Sequence, residues 1–395
     1  MLYFIGGLYP KNLYKYVVEN SKGSIENAAN ALQWAMIQGL EECGCSVKII
    51  ALPSVRTYPL YFRKKTISSF NFSHVNGACD VSLSFCTFPI IGLISQYFSL
   101  KRELAKICLE NEVVLIYSLK TPYLLAACGL KKRFPNIQIC VAVPDLPQFM
   151  SESKNLIYRF LKKIDSVIIS KCLRKVDSFI LLSKLMTKPL HVANRSWVCV
   201  EGIYLPPKKI EVQKDTCFVF AYTGTLDVRY GVLDLINAFS KLEGSNYRLW
   251  ICGKGNAEDK IRETASQDSR IIYWGQLVYE DALKIQRSAT VLVNPRRPIG
   301  EYTLYSFPSK TMEYLGSGTP CIMYNLPAIP KEYLDYLFIV EDRENGLLDK
   351  MKEVSNFSRE FLAEKGYRGR CFVEENKNPQ KQMKKVINMF NLNVK

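Results

Sequence analysis

Short apolar runs recur along the chain, each closed by a turn and followed by a stretch whose apolar positions keep helical spacing. Residues 2–5 run into Gly6-Gly7, and 26–43 then place Ala28, Leu32, Ala35, Met36 and Leu40 on one stripe. Gly44 stops that helix and 47–52 reads as the next strand, so the chain opens with the unit of a doubly wound parallel sheet. Runs at 113–117, 137–143 and 179–182 continue the series. Around 198–207 the pattern changes: Trp197-Val198-Cys199-Val200 meets Glu201-Gly202, then Pro206-Pro207 and a charged run to Lys214, which reads as a linker. Strand runs restart at 218–222, 248–252, 271–274, 290–294, 320–324 and 337–340. The pattern predicts two consecutive α/β domains of some half-dozen strands each. Residues 1–205 form the first, joined by an amphipathic C-terminal helix within 375–395 that packs back across the linker. Residues 206–374 form the second.

The length of 395 residues suits two domains, and 48% apolar with 23% charged residues is ordinary for a globular chain, which excludes disorder, collagen and coiled coil. Charge changes the picture more. Lys and Arg number 53 against 37 Asp and Glu, a formal charge of +16 that points to a polyanionic partner. Thirteen scattered cysteines and two histidines, His74 and His191, offer no clustered zinc ligands and suit a reducing compartment. No secretory signal pattern opens the sequence. Residues 81–100 carry no charge but hold too many polar side chains for a membrane span, and read as a strand or loop before a partly buried helix.

Candidate chemistry concentrates in the second domain. The run 218–222 leads into Thr223-Gly224-Thr225, with Arg229 and Gly231 before the next helical stripe. Gly253-Lys254-Gly255 and Gly275-Gln276-Leu277 close the following two strands. Glycine turns between strand and helix let backbone N–H groups approach a phosphate, and three at one end of a sheet line a common crevice. The sharpest segment is Asn294-Pro295-Arg296-Arg297, a loop with Glu301, then Ser306-Phe307-Pro308-Ser309-Lys310-Thr311-Met312-Glu313. Pro308 suits a first helical position, leaving the N–H groups of Ser309, Lys310 and Thr311 for an anion beside the Lys310 charge. Glu313, one turn on, can take two hydrogen bonds from a ribose diol. No Asp-x-Asp occurs to hold a divalent ion, so Arg, Lys and helix ends must meet a leaving diphosphate, and no metal or cofactor is expected beyond the nucleotide-sugar substrate.

The run NPRR…FPSKTMEYLGSGTP, with YTGTLD…YG upstream, resembles the donor domain of family 4 retaining glycosyltransferases of the GT-B fold. The first domain is similar too, at Gly6-Gly7, Asn27–Gln33, Val143-Pro144-Asp145-Leu146-Pro147 and the 176–183 segment. The resemblance covers essentially the whole chain and implies two facing Rossmann-like domains, with a nucleotide-sugar donor on the second and an acceptor on the first. It also implies transfer with retention and a place in bacterial surface-glycan assembly. Carried onto this sequence, the donor-binding set is Gly6, Gly7, Gly224, Thr225, Arg229, Gly253, Lys254, Leu277, Arg296, Ser306, Phe307, Pro308, Ser309, Lys310 and Glu313, with a UDP-sugar favoured over a GDP-sugar. Asp145 and Glu301 are the catalytic candidates. The family's first glutamate falls at Tyr305 here, and Glu301 stands in for it. The family's histidine near the reacting centre is matched by Asp145, whose alternative reading is a helix cap.

Residues 101–195 hold 17 Lys and Arg against 7 Asp and Glu, interleaved with apolar side chains at 158–164 and 171–175. That is how a peripheral helix meets anionic lipid, although a solvated helix face gives the same pattern. The expected partners are a nucleotide-sugar donor, a glycan acceptor on a polyprenyl-phosphate carrier and the inner face of the cytoplasmic membrane. A nucleotide-sugar epimerase is the competing enzyme class. Nucleic acid is not expected, because neither a recognition helix nor a basic sheet with stacking aromatics is legible.

Overall fold

The computed structural model describes residues 1–23, 25–107, 111–146, 156–207, 210 and 212–390. Pro147 and part of the expected linker lie outside them. The chain forms two compact units, one of Met1–Ile203 with the segment from Pro379, the other of Tyr204–Asn378.

The first unit opens with β1 (Leu2–Gly6), α1 (Lys11–Asn20), α2 (Asn27–Glu42) and β2 (Val47–Ala51). Short strands follow: β3 (Thr66–Ile67), β4 (Phe70–Phe72), β5 (Asp80–Ser82) and β6 (Phe85–Cys86). Then come α3 (Ile91–Ala105), β7 (Val113–Tyr117), α4 (Thr121–Arg133), β8 (Gln138–Val143), α5 (Leu156–Leu173), β9 (Ser178–Leu181) and β10 (Ser196–Cys199). The main sheet has the order β10-β9-β8-β7-β1-β2-β5-β4 and is parallel except for β4, while β3 and β6 form a separate antiparallel ribbon. Central strands such as LYFIG and VVLIY are buried along their whole length because helices cover both faces, which explains runs without alternation. This sheet is larger than the half-dozen strands expected, since β4 and β5 are too short to register as apolar runs. Ala28 is exposed, and the buried stripe of α2 passes instead through Gln33, Ala35, Met36, Ile37 and Leu40. His74 has a structural place: its ring nitrogens meet Asp80 at 2.5 Å and Glu41 at 2.7 Å, tying the edge of the sheet to α2.

The second unit contains β11 (Phe218–Thr223), α6 (Val232–Ser240), β12 (Tyr247–Cys252), α7 (Glu258–Gln267), β13 (Ile271–Gly275), α8 (Tyr279–Ser288) and β14 (Val291–Asn294). It continues with α9 (Ser309–Ser317), β15 (Cys321–Tyr324), β16 (Leu337–Val340), α10 (Gly346–Ser355) and α11 (Arg359–Asn376). Its sheet, β13-β12-β11-β14-β15-β16, is wholly parallel. The last helix, α12 (Pro379–Phe390), returns to the first unit and packs on α2, burying Met383, Val386, Ile387 and Phe390. Gly39 of α2 makes room for it, since a Cβ there would stand 2.2 Å from the Pro379 carbonyl.

Candidate functional site

In the second unit the strand order reverses between β11 and β14, and the carboxyl ends of such neighbours frame the ligand crevice of an open α/β sheet. Four loops converge there. The turns after β11, β12 and β13 are laddered together: Gly224 N–H donates to the Cys252 carbonyl at 3.0 Å and Gly253 N–H to Gly275 at 2.8 Å. Gly253 has φ +142° and a Cβ on it would lie 1.8 Å from the Gly224 carbonyl, so the close approach of these two turns requires glycine at 253. On the other side, a Cβ on Gly231 would lie 2.2 Å from the Pro295 carbonyl, which seats the β11 turn against the β14 loop.

Arg296 is the cation at this junction. It is buried, its guanidinium lies 5.4 Å from the Tyr230 ring and 4.8 Å from the Tyr302 ring, and its Nε has no hydrogen-bond partner among the described residues. A buried donor left unpaired costs stability unless a ligand meets it, so the residue fits an anion site. Arg229 is differently disposed: its exposed guanidinium grips Asp227 through Nε at 3.0 Å and Nη2 at 2.8 Å. That hydrogen bonding is the main reason the Asp227 carboxyl sits below its ordinary range. Thr225 and Lys254 are exposed at the mouths of their turns, and Leu277 is half-buried beyond Gly275.

The α9 segment corrects two expectations. Pro308 is the capping residue before the helix, with extended backbone (ψ 109°), and the first helical residue is Ser309. Thr311 N–H returns to the Pro308 carbonyl at 2.9 Å, leaving the N–H groups of Ser309 and Lys310 as the free pair at the helix start among the described residues. The Phe307 side chain belongs to the core, 5.4 Å from the Tyr333 ring, so only its backbone is left for a ligand, while Ser306 is half-buried. Glu313 Oε1 accepts from Lys310 Nζ at 2.7 Å and from Gln286 Nε2 at 2.5 Å. Lys310 is thereby held by Glu313 and orients it, instead of standing free in a positive cradle. Both bonds go to one oxygen, and Glu313 Oε2 has no partner among the described residues. Gln286 is fully buried and also donates to Thr223 Oγ1 at 2.7 Å, while the Tyr314 hydroxyl accepts from Thr223 N–H at 2.9 Å and donates to the Thr223 carbonyl at 3.0 Å. The end of β11 is thus pinned to α8 and α9. Neither Gln286 nor Tyr314 was legible as a site residue, because nothing in a polar helix marks which glutamine turns inward.

Glu301, itself exposed, opens a 3-10 turn, Glu301–Leu304, and its carboxylate makes no hydrogen bond or ion pair among the described residues. The Tyr302 ring on Arg296 and the buried Thr303 hold the turn in place, the latter donating to the Gly300 carbonyl at 2.8 Å.

Gly6, Gly7 and Asp145 lie in the first unit, at the carboxyl edge of its sheet. Cβ atoms on Gly6 and Gly7 would meet Gln33 Oε1 at 2.2 Å and Ser54 Oγ at 2.3 Å. Lys120, at the start of α4, donates to that same Ser54 hydroxyl at 2.7 Å. Burial lowers the Lys120 pKa, which the Glu26 charge partly offsets, and nothing in the sequence singled this lysine out among many. Asp145 follows β8, and desolvation raises its carboxyl above the ordinary range, with the Glu26 charge adding to the effect. Burial likewise pushes the Tyr117 hydroxyl up, with Asp145 and Glu26 behind it. Among the described residues no three His, Cys, Asp or Glu side chains cluster as metal ligands.

Residues 217–363, which carry the switch-point crevice, match the family model of Glycosyl transferases group 1. No curated protein matches the chain by sequence. Sucrose-phosphate synthase from Thermosynechococcus elongatus is similar in structure at 13% identity, with a TM-score of 0.65 over 99% of this chain and 98% of that one. The apo lipopolysaccharide outer core galactosyltransferase WaaB aligns at 14% identity and TM-score 0.61, over 99% of both chains. A trehalose-6-phosphate structure from E. coli bound with UDP-2-fluoro glucose aligns at 12% identity and TM-score 0.64, again over 99% of both. The chain has the α/β fold of the GT-B glycosyltransferases, with two parallel-sheet domains.

Proposed function

We propose that the protein is a glycosyltransferase that moves a hexose-type sugar from a nucleotide diphosphate sugar, a UDP-sugar before a GDP-sugar, to a glycan acceptor with retention of anomeric configuration. One observation carries the reading. At the switch point of the family-matched unit, a buried cation with an unpaired donor, a helix start with two free N–H groups and a carboxylate with one free oxygen belong to the segments that follow β14 at one end of the sheet. The first two are complementary to a diphosphate and the third to a ribose diol. Arg296 and the start of α9 would meet the charge that grows on the leaving diphosphate, Glu313 would hold the ribose and Glu301 the donor sugar. In the first unit, Asp145 would orient the acceptor hydroxyl, and a raised pKa suits a group that trades a proton with it.

The acceptor we infer is a polyprenyl-phosphate-linked glycan, with the chain attached peripherally to the inner face of the cytoplasmic membrane. The excess of cations in 101–195 and the similarity to a lipopolysaccharide galactosyltransferase support that reading. No described helix is long and apolar enough to cross a membrane.

Thermal shift with UDP, GDP, ADP and their sugars tests the donor, since a ligand that binds only the folded state raises the melting temperature by mass action. UDP and UDP-sugars are expected to rank first. Glu313→Gln is expected to weaken UDP binding by roughly 10–100-fold, the loss of one or two charge-assisted hydrogen bonds at ~1.5–3 kcal/mol each, with an unchanged melting curve without ligand. Unaltered affinity in that variant would remove Glu313 from the site. Transfer is expected to survive EDTA.

A further inference from the structure

The amino-terminal half of α3 is apolar on its outer face. Ile91, Leu93, Ile94 and Phe98 are exposed at 60, 49, 51 and 56%, and Ile90 just before them at 54%. A surface helix ordinarily turns polar residues outward, and although a lone exposed leucine needs no explanation, a contiguous group does. A second segment extends the patch. Leu60, 73% exposed, sits on the 57–65 loop, which lies alongside the lead-in to α3: Tyr58 N–H donates to the Thr87 carbonyl at 3.0 Å and Thr87 N–H to the Lys65 carbonyl at 2.9 Å. The Tyr58 and Phe88 rings meet edge to face at 5.3 Å.

The charges that these two segments carry are of one sign. Arg63, Lys64 and Lys65 on the loop and Lys101 and Arg102 on α3 are all exposed, and neither 52–65 nor 84–102 contains an Asp or Glu. Because α3 precedes a parallel strand, β7, its amino terminus lies at the carboxyl end of the first sheet, the end that also carries Gly6, Gly7 and Asp145.

We propose that this patch is a membrane-insertion surface: Leu60 and the outer face of α3 enter the boundary between headgroups and acyl chains of an anionic bilayer, while the five cations hold lipid phosphates. Apolar side chains ringed by Lys and Arg on a helix too polar to span are what binding in the interface plane requires. Attachment here would set the carboxyl end of the first sheet near the bilayer, where a lipid-linked acceptor presents its sugar. That purpose rests on the function proposed above, whereas the insertion itself does not.

Co-sedimentation of the full chain with phosphatidylcholine vesicles, and with the same vesicles containing phosphatidylglycerol, tests it without donor or acceptor. The wild type is expected to pellet with the anionic vesicles and weakly with the neutral ones. Ile91→Ser/Leu93→Ser/Ile94→Ser, at positions outside the core, is expected to lose at least about tenfold in vesicle binding while keeping its melting curve and nucleotide binding. An Ile94→Trp variant is expected to show blue-shifted emission on anionic vesicles. Full vesicle binding by the triple-serine chain overturns the proposal, most directly if charge reversal at Lys163, Arg174 and Lys175 abolishes binding instead. So does a wild-type chain that pellets with neither vesicle, or that dimerises through these residues. Failure to bind any nucleotide would end the transferase reading and leave vesicle binding to be judged by itself.

Discussion

Asp145, the residue proposed to meet the acceptor, carries a cost in stability. Its folded pKa is raised above the ordinary 3.8, first by burial and then by the Glu26 charge, so the folded state holds its proton more tightly than the unfolded chain. Stability is therefore lost as pH climbs from that ordinary value through the raised one, and the deficit persists at neutral pH. Asp145→Asn is expected to melt higher than the wild type at pH 7, with the two melting curves converging below the ordinary carboxylate range, and to lose transfer activity at every pH. A melting-temperature series from pH 3 to 8 checks the sign. Arg229 and Lys310 teach the opposite lesson: both cations have carboxylate partners within their own segments, so their presence in the sequence overstated the free positive charge at the site.

At the scale of elements, the crevice depends on turns that fit only as backbone. Gly253 illustrates the point, being held at φ +142° with its missing side chain directed at the Gly224 carbonyl. Gly253→Ala is expected to destabilise the second unit by ~1–3 kcal/mol from backbone strain alone, and by more once the ladder of turns opens. Chemical denaturation followed by tryptophan emission reads the loss, since Trp250 lies on β12 and Trp274 on β13 with rings 6.0 Å apart. Nucleotide affinity should fall with it, because the turns after β11 and β12 move together.

At the scale of the molecule, each unit has its own hydrophobic core. One in the second unit runs from Tyr204 to Val373, and one in the first unit takes in Met383, Val386, Ile387 and Phe390 of α12. Units with separate cores are expected to give two calorimetric transitions. Met383→Ala, a large-to-small change in a fully buried position, is expected to lower only the first unit's transition, by roughly 5 °C or more. Saturating UDP is expected to raise only the other, and a single transition that responds to both perturbations would contradict the assignment.

The strand series was readable from sequence because strands buried on both faces must be continuously apolar, whatever lies beside them. Runs such as 113–117 and 337–340 coincide with β7 and β16, and others differ by a residue or two at their ends. The glycine turns and the 294–313 segment were readable for a similar reason: φ and backbone approach restrict residue type locally. The strands β4 and β5 were not, since three residues leave no period to detect. Which side chains would cooperate was decided only by the fold. Gln286 and Glu313 share a hydrogen bond across 27 positions, Lys120 and Ser54 across 66, and Asp80 reaches Ile49 across 31. Pairings of that kind depend on strand order and helix rotation, and a linear pattern of apolar and polar residues carries neither. The same holds for exposure: the uncharged stretch at 81–100 is equally compatible with a buried helix, and only the packing of α3 turned Ile91, Leu93, Ile94 and Phe98 outward.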